Sequence, residues 1–130
     1  MEAVVHLDTH VVAWLMEGRL DKLGRRAQRR LEESRPRISP IVHVELDYLF
    51  EIGRTDRNGQ QALMHLARTT GLRMDDAPFA HVAAASAEHT WTRDPFDRII
   101  VAQAALASTP LLTGDRAMLE HYAHAIDVTR

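Results

Sequence analysis

Four acidic residues in this sequence lie beside or within apolar segments, where a charged side chain is not expected. Asp8 and Asp115 each follow a short apolar run, and Glu45 and Asp97 interrupt the apolar faces of two predicted helices. A carboxylate on an apolar face is costly unless a cation or a hydrogen bond compensates it. Together these acids would repel one another, so a divalent cation is their natural counter-charge. We call these four residues the acidic quartet.

The residue types of the acidic quartet favour one kind of metal and one kind of chemistry. An all-oxygen donor set in a chain without cysteine suits Mg²⁺, with Mn²⁺ as the alternative. Such an ion activates water and neutralises a phosphate under attack. We predict that Asp8, Asp97 and Asp115 bind the ion, and that Glu45 orients a water or completes a second metal site.

Each acid also has a structural explanation. Asp8, Asp94 and Asp115 stand where a helix N-cap is expected. Asp97, in a first helical turn, would interact favourably with the helix dipole, and Glu45 would be compensated by a buried arginine. Because a proline follows Asp94, we assign that residue mainly to capping. Asp97 shares its face with apolar side chains, so we assign it mainly to the site.

The elements that position these residues alternate along the chain. Strands are predicted at 4–7, 37–39, 72–74, 111–113 and 126–128. Helices are predicted at 9–18, 20–34, 40–52, 60–70, 78–88, 95–107 and 116–122. This alternation predicts an α/β sandwich with a mostly parallel sheet. Such sheets bind ligands beyond the carboxyl ends of their strands, at the switch point in strand order.

Composition limits the class of protein. The 130 residues, 45% hydrophobic and 26% charged, predict one globular domain over 1–130. The absence of cysteine excludes disulfides, thiolate zinc sites and cysteine nucleophiles. No targeting segment is visible and the longest apolar run, 99–107, is too short to span a bilayer, so we expect a soluble, cytoplasmic protein without membrane contact.

Charge is unevenly distributed. The net charge is −2, so any binding of nucleic acid must use local basic patches. In the helix predicted over 20–34, the face opposite the leucines carries Arg25, Arg26, Arg29 and Arg30. Lys22 is the only lysine, which argues against a response-regulator receiver.

Four segments, in this order, carry a resemblance to a known family. They are Leu7-Asp8-Thr9-His10 with Trp14-Leu15, Ile38-Ser39-Pro40 through Glu45, Arg93-Asp94-Pro95-Phe96-Asp97-Arg98 through Ala102-Gln103-Ala104, and Leu112-Thr113-Gly114-Asp115. They resemble the PIN-domain ribonucleases, in particular the VapC toxins of bacterial toxin–antitoxin pairs. The family's acidic residues fall on the acidic quartet, and its supporting hydroxyl falls on Thr113.

The resemblance implies a PIN-like three-layer sandwich with four to five strands, the first and fourth adjacent. It implies cleavage of RNA dependent on Mg²⁺ or Mn²⁺, a homodimer, and inhibition by a cognate VapB-like antitoxin. Near the predicted acids, Arg93, Arg98 and Arg116 are candidates to hold phosphates of the RNA. Arg98 alternatively pairs with Asp94 or Glu45.

Two alternatives to a toxin remain open at this point. One is a housekeeping PIN nuclease that matures RNA, although the chain has no additional RNA-binding domain. The other is a non-catalytic PIN-like binding module, which would be expected to lose one or more of the metal carboxylates. A haloacid-dehalogenase phosphatase is excluded because His10 stands where its second aspartate is needed.

Overall fold

Five strands form one sheet in the computed structural model, which describes residues 3–130. They are β1 Ala3–Leu7, β2 Ser34–Ile38, β3 Arg73–Met74, β4 Leu111–Thr113 and β5 Ala125–Asp127. Their order is β3-β2-β1-β4-β5, and every neighbouring pair is parallel. The predicted fold class and the predicted pairing of the first strand with the fourth are both confirmed.

Seven helices connect the strands. They are α1 Thr9–Met16, α2 Arg25–Glu32, α3 Ile41–Glu51, α4 Gly59–Thr70, α5 Phe79–Ser86, α6 Pro95–Leu106 and α7 Arg116–His121, with a 3-10 turn at Leu20–Lys22. Right-handed crossovers and this strand order place α1–α4 on one face of the sheet and α5–α7 on the other. The result is a three-layer sandwich. No helix within 3–130 combines the length and apolarity needed to cross a membrane.

The prediction of one continuous helix over 20–34 is wrong. The chain leaves the 3-10 turn at Leu23, Gly24 is extended with φ −72° and ψ 169°, and α2 begins at Arg25. The cause is a tertiary contact: the Gly24 N–H donates to the Val128 carbonyl at 2.9 Å, and a Cβ on Gly24 would overlap the main chain of Arg130. Helical spacing of leucines carries no information about such a contact.

Strand β2 begins earlier than predicted, at Ser34, although it contains Pro36. Pro36 pairs in register with Val5 of β1, and β3 joins β2 only at Arg37 and Ile38. Proline is tolerated where one side of a strand needs no N–H donor. The missing β3 partner at Pro36 meets that condition, so β2 begins at Ser34.

The switch point of the sheet lies between β1 and β4. From β1 the chain moves outward to β2 and β3, then crosses to β4 on the other side of β1. The register pairs Leu7 with Leu112, and the Asp8 N–H donates to the Leu112 carbonyl at 3.1 Å. Leu7, Leu111 and Leu112 are buried in the core beneath this edge. Asp8 and Thr113 therefore leave the sheet side by side.

Candidate active site

Asp8 is buried and held by hydrogen bonds to both carboxylate oxygens. Its Oδ1 accepts from the Thr9 N–H at 2.7 Å, which makes it the N-cap of α1. Its Oδ2 accepts from the Thr113 hydroxyl at 2.7 Å. Burial raises the pKa of Asp8, while the Thr113 and Thr9 hydrogen bonds act in the opposite direction. The capping and site interpretations of Asp8 are compatible, because one carboxylate serves α1 while lying at the switch point.

Glu45 is buried on α3 and depends on α1 for its position. Its Oε1 accepts from the Thr9 hydroxyl at 2.5 Å. Burial raises the pKa of Glu45, and the negative charge of Asp8 adds to the effect. The nearby His10, which is exposed, offsets part of this rise in the pKa of both Asp8 and Glu45. Thr9 thus ties two members of the acidic quartet together.

Asp97 lies on α6, and its ionisation is strongly perturbed by its surroundings. It lies half-buried in the first turn of α6, whose N-cap Asp94 accepts from the Phe96 N–H at 2.8 Å. Burial, followed by the negative charges of Asp94, Asp8, Asp115 and Glu45, raises the pKa of Asp97 to about 7. Asp94 therefore caps the helix as predicted, and its charge also reaches Asp97.

Asp115 lies just beyond the carboxyl end of β4, the strand that pairs with β1. It is the N-cap of α7, where its Oδ1 accepts from the Met118 N–H at 2.9 Å. Its own N–H donates to the Thr113 hydroxyl oxygen at 3.0 Å. The buried hydroxyl of Thr113 therefore contacts both Asp8 and Asp115, the position expected of a supporting residue.

The acidic quartet converges without a basic partner. Within residues 3–130 none of its carboxylates lies within 4.0 Å of an Arg or Lys nitrogen, so the alternative of a buried arginine beside Glu45 is not what the structure shows. Over the same residues, no three acidic or His side chains are close enough to form a ready-made metal site. The all-oxygen donor set, and the repulsion that raises the pKa of Asp97, still fit a divalent cation such as Mg²⁺.

The three predicted phosphate-binding arginines differ in their surroundings. Arg93 and Arg116 are exposed. Arg98 is half-buried, and its Nε donates to the Thr92 carbonyl at 2.8 Å. Arg98 does not come within 4.0 Å of the carboxylates of Asp94 or Glu45 in the described chain. Its structural partner is therefore the loop before α6 rather than an acid.

Two contributions to the site escape sequence reasoning. Thr9 was part of a matching segment, but its hydroxyl contact with Glu45, 36 residues away, has no local signal. Trp91 stacks flat on His121, with ring centroids 5.1 Å apart and an interplanar angle of 6°. This contact joins the loop before α6 to α7, so it ties together the two elements that carry Asp97 and Asp115.

Solved structures with this fold include toxin–antitoxin proteins. VapBC2 from Rickettsia felis bound to a promoter DNA fragment matches with a TM-score of 0.68 and 17% identity over 95% of this chain and 97% of that chain. A toxin–antitoxin complex from Klebsiella pneumoniae matches at 0.64 and 20%, over 97% and 98%. VapBC-1 from nontypeable Haemophilus influenzae matches at 0.67 and 16%, over 98% and 99%.

Sequence comparison identifies the family. Among curated protein sequences, none is significantly similar to this chain. The model of the PIN domain matches residues 5–125, which include all seven helices and every member of the acidic quartet. The chain therefore belongs to the PIN domain family, a family of nucleases.

Proposed function

We propose that this protein is a Mg²⁺-dependent endoribonuclease that acts in the cytoplasm as the toxin of a type II toxin–antitoxin pair. The observation that carries the proposal is the acidic quartet, which converges without a basic partner at the switch point of a PIN domain. The presence of every quartet member argues against the non-catalytic binding module. The shared fold of toxin–antitoxin proteins favours the toxin over a housekeeping nuclease.

Asp8, Asp97 and Asp115 are the residues that would hold Mg²⁺, or Mn²⁺ in its place. When bound, the ion supplies a Lewis acid that neutralises charge on the phosphate and lowers the pKa of water. Asp8 is already oriented by Thr9 and Thr113. No hydrogen bond to the Asp97 carboxylate is found within residues 3–130, which leaves its oxygens available to a ligand.

Glu45 would position a water. The Thr9 hydroxyl occupies Oε1 and leaves Oε2 free to accept from a water molecule. That water would attack the phosphorus in line with the bond that breaks, which favours the reaction by orientation. Arg93 and Arg116, both exposed, would hold flanking phosphates. Arg98 would order the loop that leads to Asp97.

The partners follow from the acidity of the cleft and from the neighbouring structures. We propose a VapB-like antitoxin that inserts an arginine among the quartet, because a guanidinium pairs with two carboxylate oxygens at once. A homodimer belongs to the same proposal. Its interface would draw on exposed apolar side chains: Leu20, Val44 and Tyr48 are each more than half exposed, whereas Leu23 and Ala27 are buried in the core.

The deciding experiment is cleavage of RNA by purified protein with Mg²⁺ or with EDTA. The wild type should cleave only with the metal, and Asp97→Asn should not cleave. Asp56→Asn removes an exposed carboxylate that does not belong to the acidic quartet, and this variant should behave as the wild type. Cleavage in EDTA, or full activity of Asp97→Asn, would contradict the proposal. Growth arrest on expression of the wild type, absent with Asp97→Asn, tests the toxin role.

A further inference from the structure

Helix α2 presents a dense basic face that the proposed active site does not use. Arg25, Arg26, Arg29 and Arg30 are all exposed, and Ala27 on the opposite face is fully buried. At about 100° per residue the arginines cover an arc of roughly 140°. None of their nitrogens lies within 4.0 Å of a carboxylate in residues 3–130. Half of the helix therefore consists of positive charges without an ion-pair partner.

This arrangement works against the stability of α2. Arg25 with Arg29, and Arg26 with Arg30, are like charges at i and i+4, which destabilise a helix by a few tenths of a kcal/mol each. Arg25 and Arg26 also lie in a first turn that contains no acid, next to the positive end of the helix dipole. Arg29 and Arg30 lie in the last turn, where the helix dipole favours positive charge, so the charges that a ligand would compensate most are those of Arg25 and Arg26 at the start of α2.

The C-terminal main chain links α2 to the active-site edge. The Arg26 N–H donates to the Arg130 carbonyl at 2.8 Å, which fixes residue 130 at the start of α2. The Arg130 side chain is 78% exposed, with its Nε 3.6 Å from the Asp127 carboxylate. Gly114, Arg116 and Arg130 line one pocket of about 430 Å³ together with the acids Glu120 and Asp127. Gly114 directly precedes Asp115, and the Arg130 main chain contacts α2, so the pocket borders both the acidic quartet and α2.

We propose that Arg116, Arg130 and the four arginines of α2 form a basic track that binds the sugar-phosphate backbone of RNA beyond the cleavage site. The inference rests on the proposed function and extends it, because it assigns a path on the surface to the part of the substrate outside the cleft. A polyanion is the ligand that matches these charges, and RNA is the polyanion that the acidic quartet would cleave. RNA long enough to reach α2 should bind more tightly than a short oligonucleotide.

The test measures binding of a labelled single-stranded RNA in EDTA at several salt concentrations. Each phosphate contact with a single strand contributes about 0.7 to the slope of log affinity against log salt. The variant Arg25→Gln/Arg26→Gln/Arg29→Gln/Arg30→Gln should therefore lower the slope by roughly 2 to 3. The matched control, Arg54→Gln/Arg57→Gln/Arg68→Gln/Arg73→Gln, removes the same charge from exposed arginines outside the track and should leave the slope unchanged.

Two further arms make the outcome decisive. Replacing the four α2 arginines by lysine keeps the charge and should keep most of the slope, whereas a slope lost in this variant would mean that folding has failed, which a thermal melt detects. An α2 glutamine variant with the wild-type slope overturns the inference, even if it binds an antitoxin less well. Because EDTA removes catalysis from the assay, a lost slope supports the track even if Mg²⁺ fails to produce cleavage, which would refute only the proposed function.

Discussion

The four carboxylates of the site differ in the number of hydrogen bonds that they accept. Both oxygens of Asp8 accept hydrogen bonds, from Thr9 and Thr113, and Glu45 accepts one from Thr9. Burial, followed by the negative charges of its neighbours, instead raises the pKa of Asp97 from 3.8 to about 7. At the scale of single residues, Asp97 therefore carries a negative charge that no hydrogen bond from the described residues to its carboxylate stabilises and that a cation would compensate.

Asp97→Asn should stabilise the metal-free protein at alkaline pH. The folded pKa of Asp97 exceeds its unfolded pKa, so its ionisation destabilises the native state fully above about pH 7. The penalty shrinks as the pH falls from 7 towards 4 and vanishes below 4, where both states are protonated. We expect a gain of about 1–2 kcal/mol at pH 8 after allowance for solvent screening, and almost none at pH 4.

Urea unfolding in EDTA at the two pH values measures this difference. Asp56→Asn, at an exposed position, is the control and should change stability little at either pH. Equal effects of Asp97→Asn at pH 8 and pH 4 would contradict the assigned pKa. Adding Mg²⁺ at pH 8 should stabilise the wild type more than Asp97→Asn, because binding to the native state raises its stability.

Thr9→Val should reduce cleavage although Thr9 is not itself an acid. The change keeps the shape of the side chain and removes the hydroxyl that positions the Oε1 of Glu45. Loss of such a supporting hydrogen bond typically lowers activity or metal affinity about 10- to 100-fold. Thr9→Ser keeps the hydroxyl and should retain most of the activity. Steady-state cleavage rates for the two variants test the role, and equal rates would show that the hydroxyl does not position Glu45.

At the scale of elements, some residues at helix starts both cap their helix and contribute a carboxylate to the site. The N-caps of α1, α6 and α7 are Asp8, Asp94 and Asp115, and two of these caps also belong to the acidic quartet. A cap must lie at the end of the helix nearest the preceding strand or loop, and in a parallel sheet that end faces the carboxyl edge. The architecture thus brings capping acids to the place where a metal cleft is expected.

Substitutions of Asp94 separate its role as the N-cap of α6 from the effect of its charge on the pKa of Asp97. Asp94→Asn keeps the cap, since asparagine caps as well as aspartate, and removes the largest Coulombic contribution to the raised pKa of Asp97. We expect the pKa of Asp97 to fall while stability is retained. Asp94→Ala removes both functions and should cost about 1 kcal/mol. NMR titration of the side-chain carboxyl carbons measures the pKa, and an Asp97 pKa unaffected by Asp94→Asn would contradict the coupling.

At the scale of the whole molecule, residues 128–130 join parts of the structure that are distant in sequence. The Gly24 and Arg26 N–H groups donate to the carbonyls of Val128 and Arg130. These bonds satisfy the start of α2, where no side chain serves as a cap. They also place Arg130 between the active-site edge and the basic face of α2. The path of the C-terminal main chain therefore shapes the surface that we propose binds RNA.

Gly24→Ala should be the most damaging of the conservative glycine substitutions. The φ of Gly24 is ordinary, yet its new Cβ would overlap the main chain of Arg130, which cannot move as a flexible side chain does. We expect a loss of about 2–3 kcal/mol from this overpacking. Gly18→Ala is the control: its φ is +69° and its surroundings are open, so strain alone should cost about 1 kcal/mol. Thermal unfolding ranks the two, and the reverse order would contradict the contact.

Local patterns were sufficient for much of this molecule. Alternating strands and helices, the Asp94 cap and the carboxylates at strand ends were all predicted from neighbouring residues, because periodicity and capping depend on contacts within a few positions. The same patterns indicated the apolar faces that Glu45 and Asp97 interrupt. The α/β class, the parallel sheet and the positions of the acids are therefore properties of the sequence itself.

Only the tertiary structure decided which distant groups meet. The Thr113 hydroxyl bonds to Asp8 across 105 residues, and Thr9 bonds to Glu45 across 36. The break at Gly24 likewise depends on a main chain more than 100 positions away, and the partner of Arg98 proved to be a loop carbonyl. The residue type determines which kinds of group a hydroxyl or an N–H can hydrogen-bond to. Which partner it finds depends on which strands lie side by side, and that is settled by packing of the whole chain.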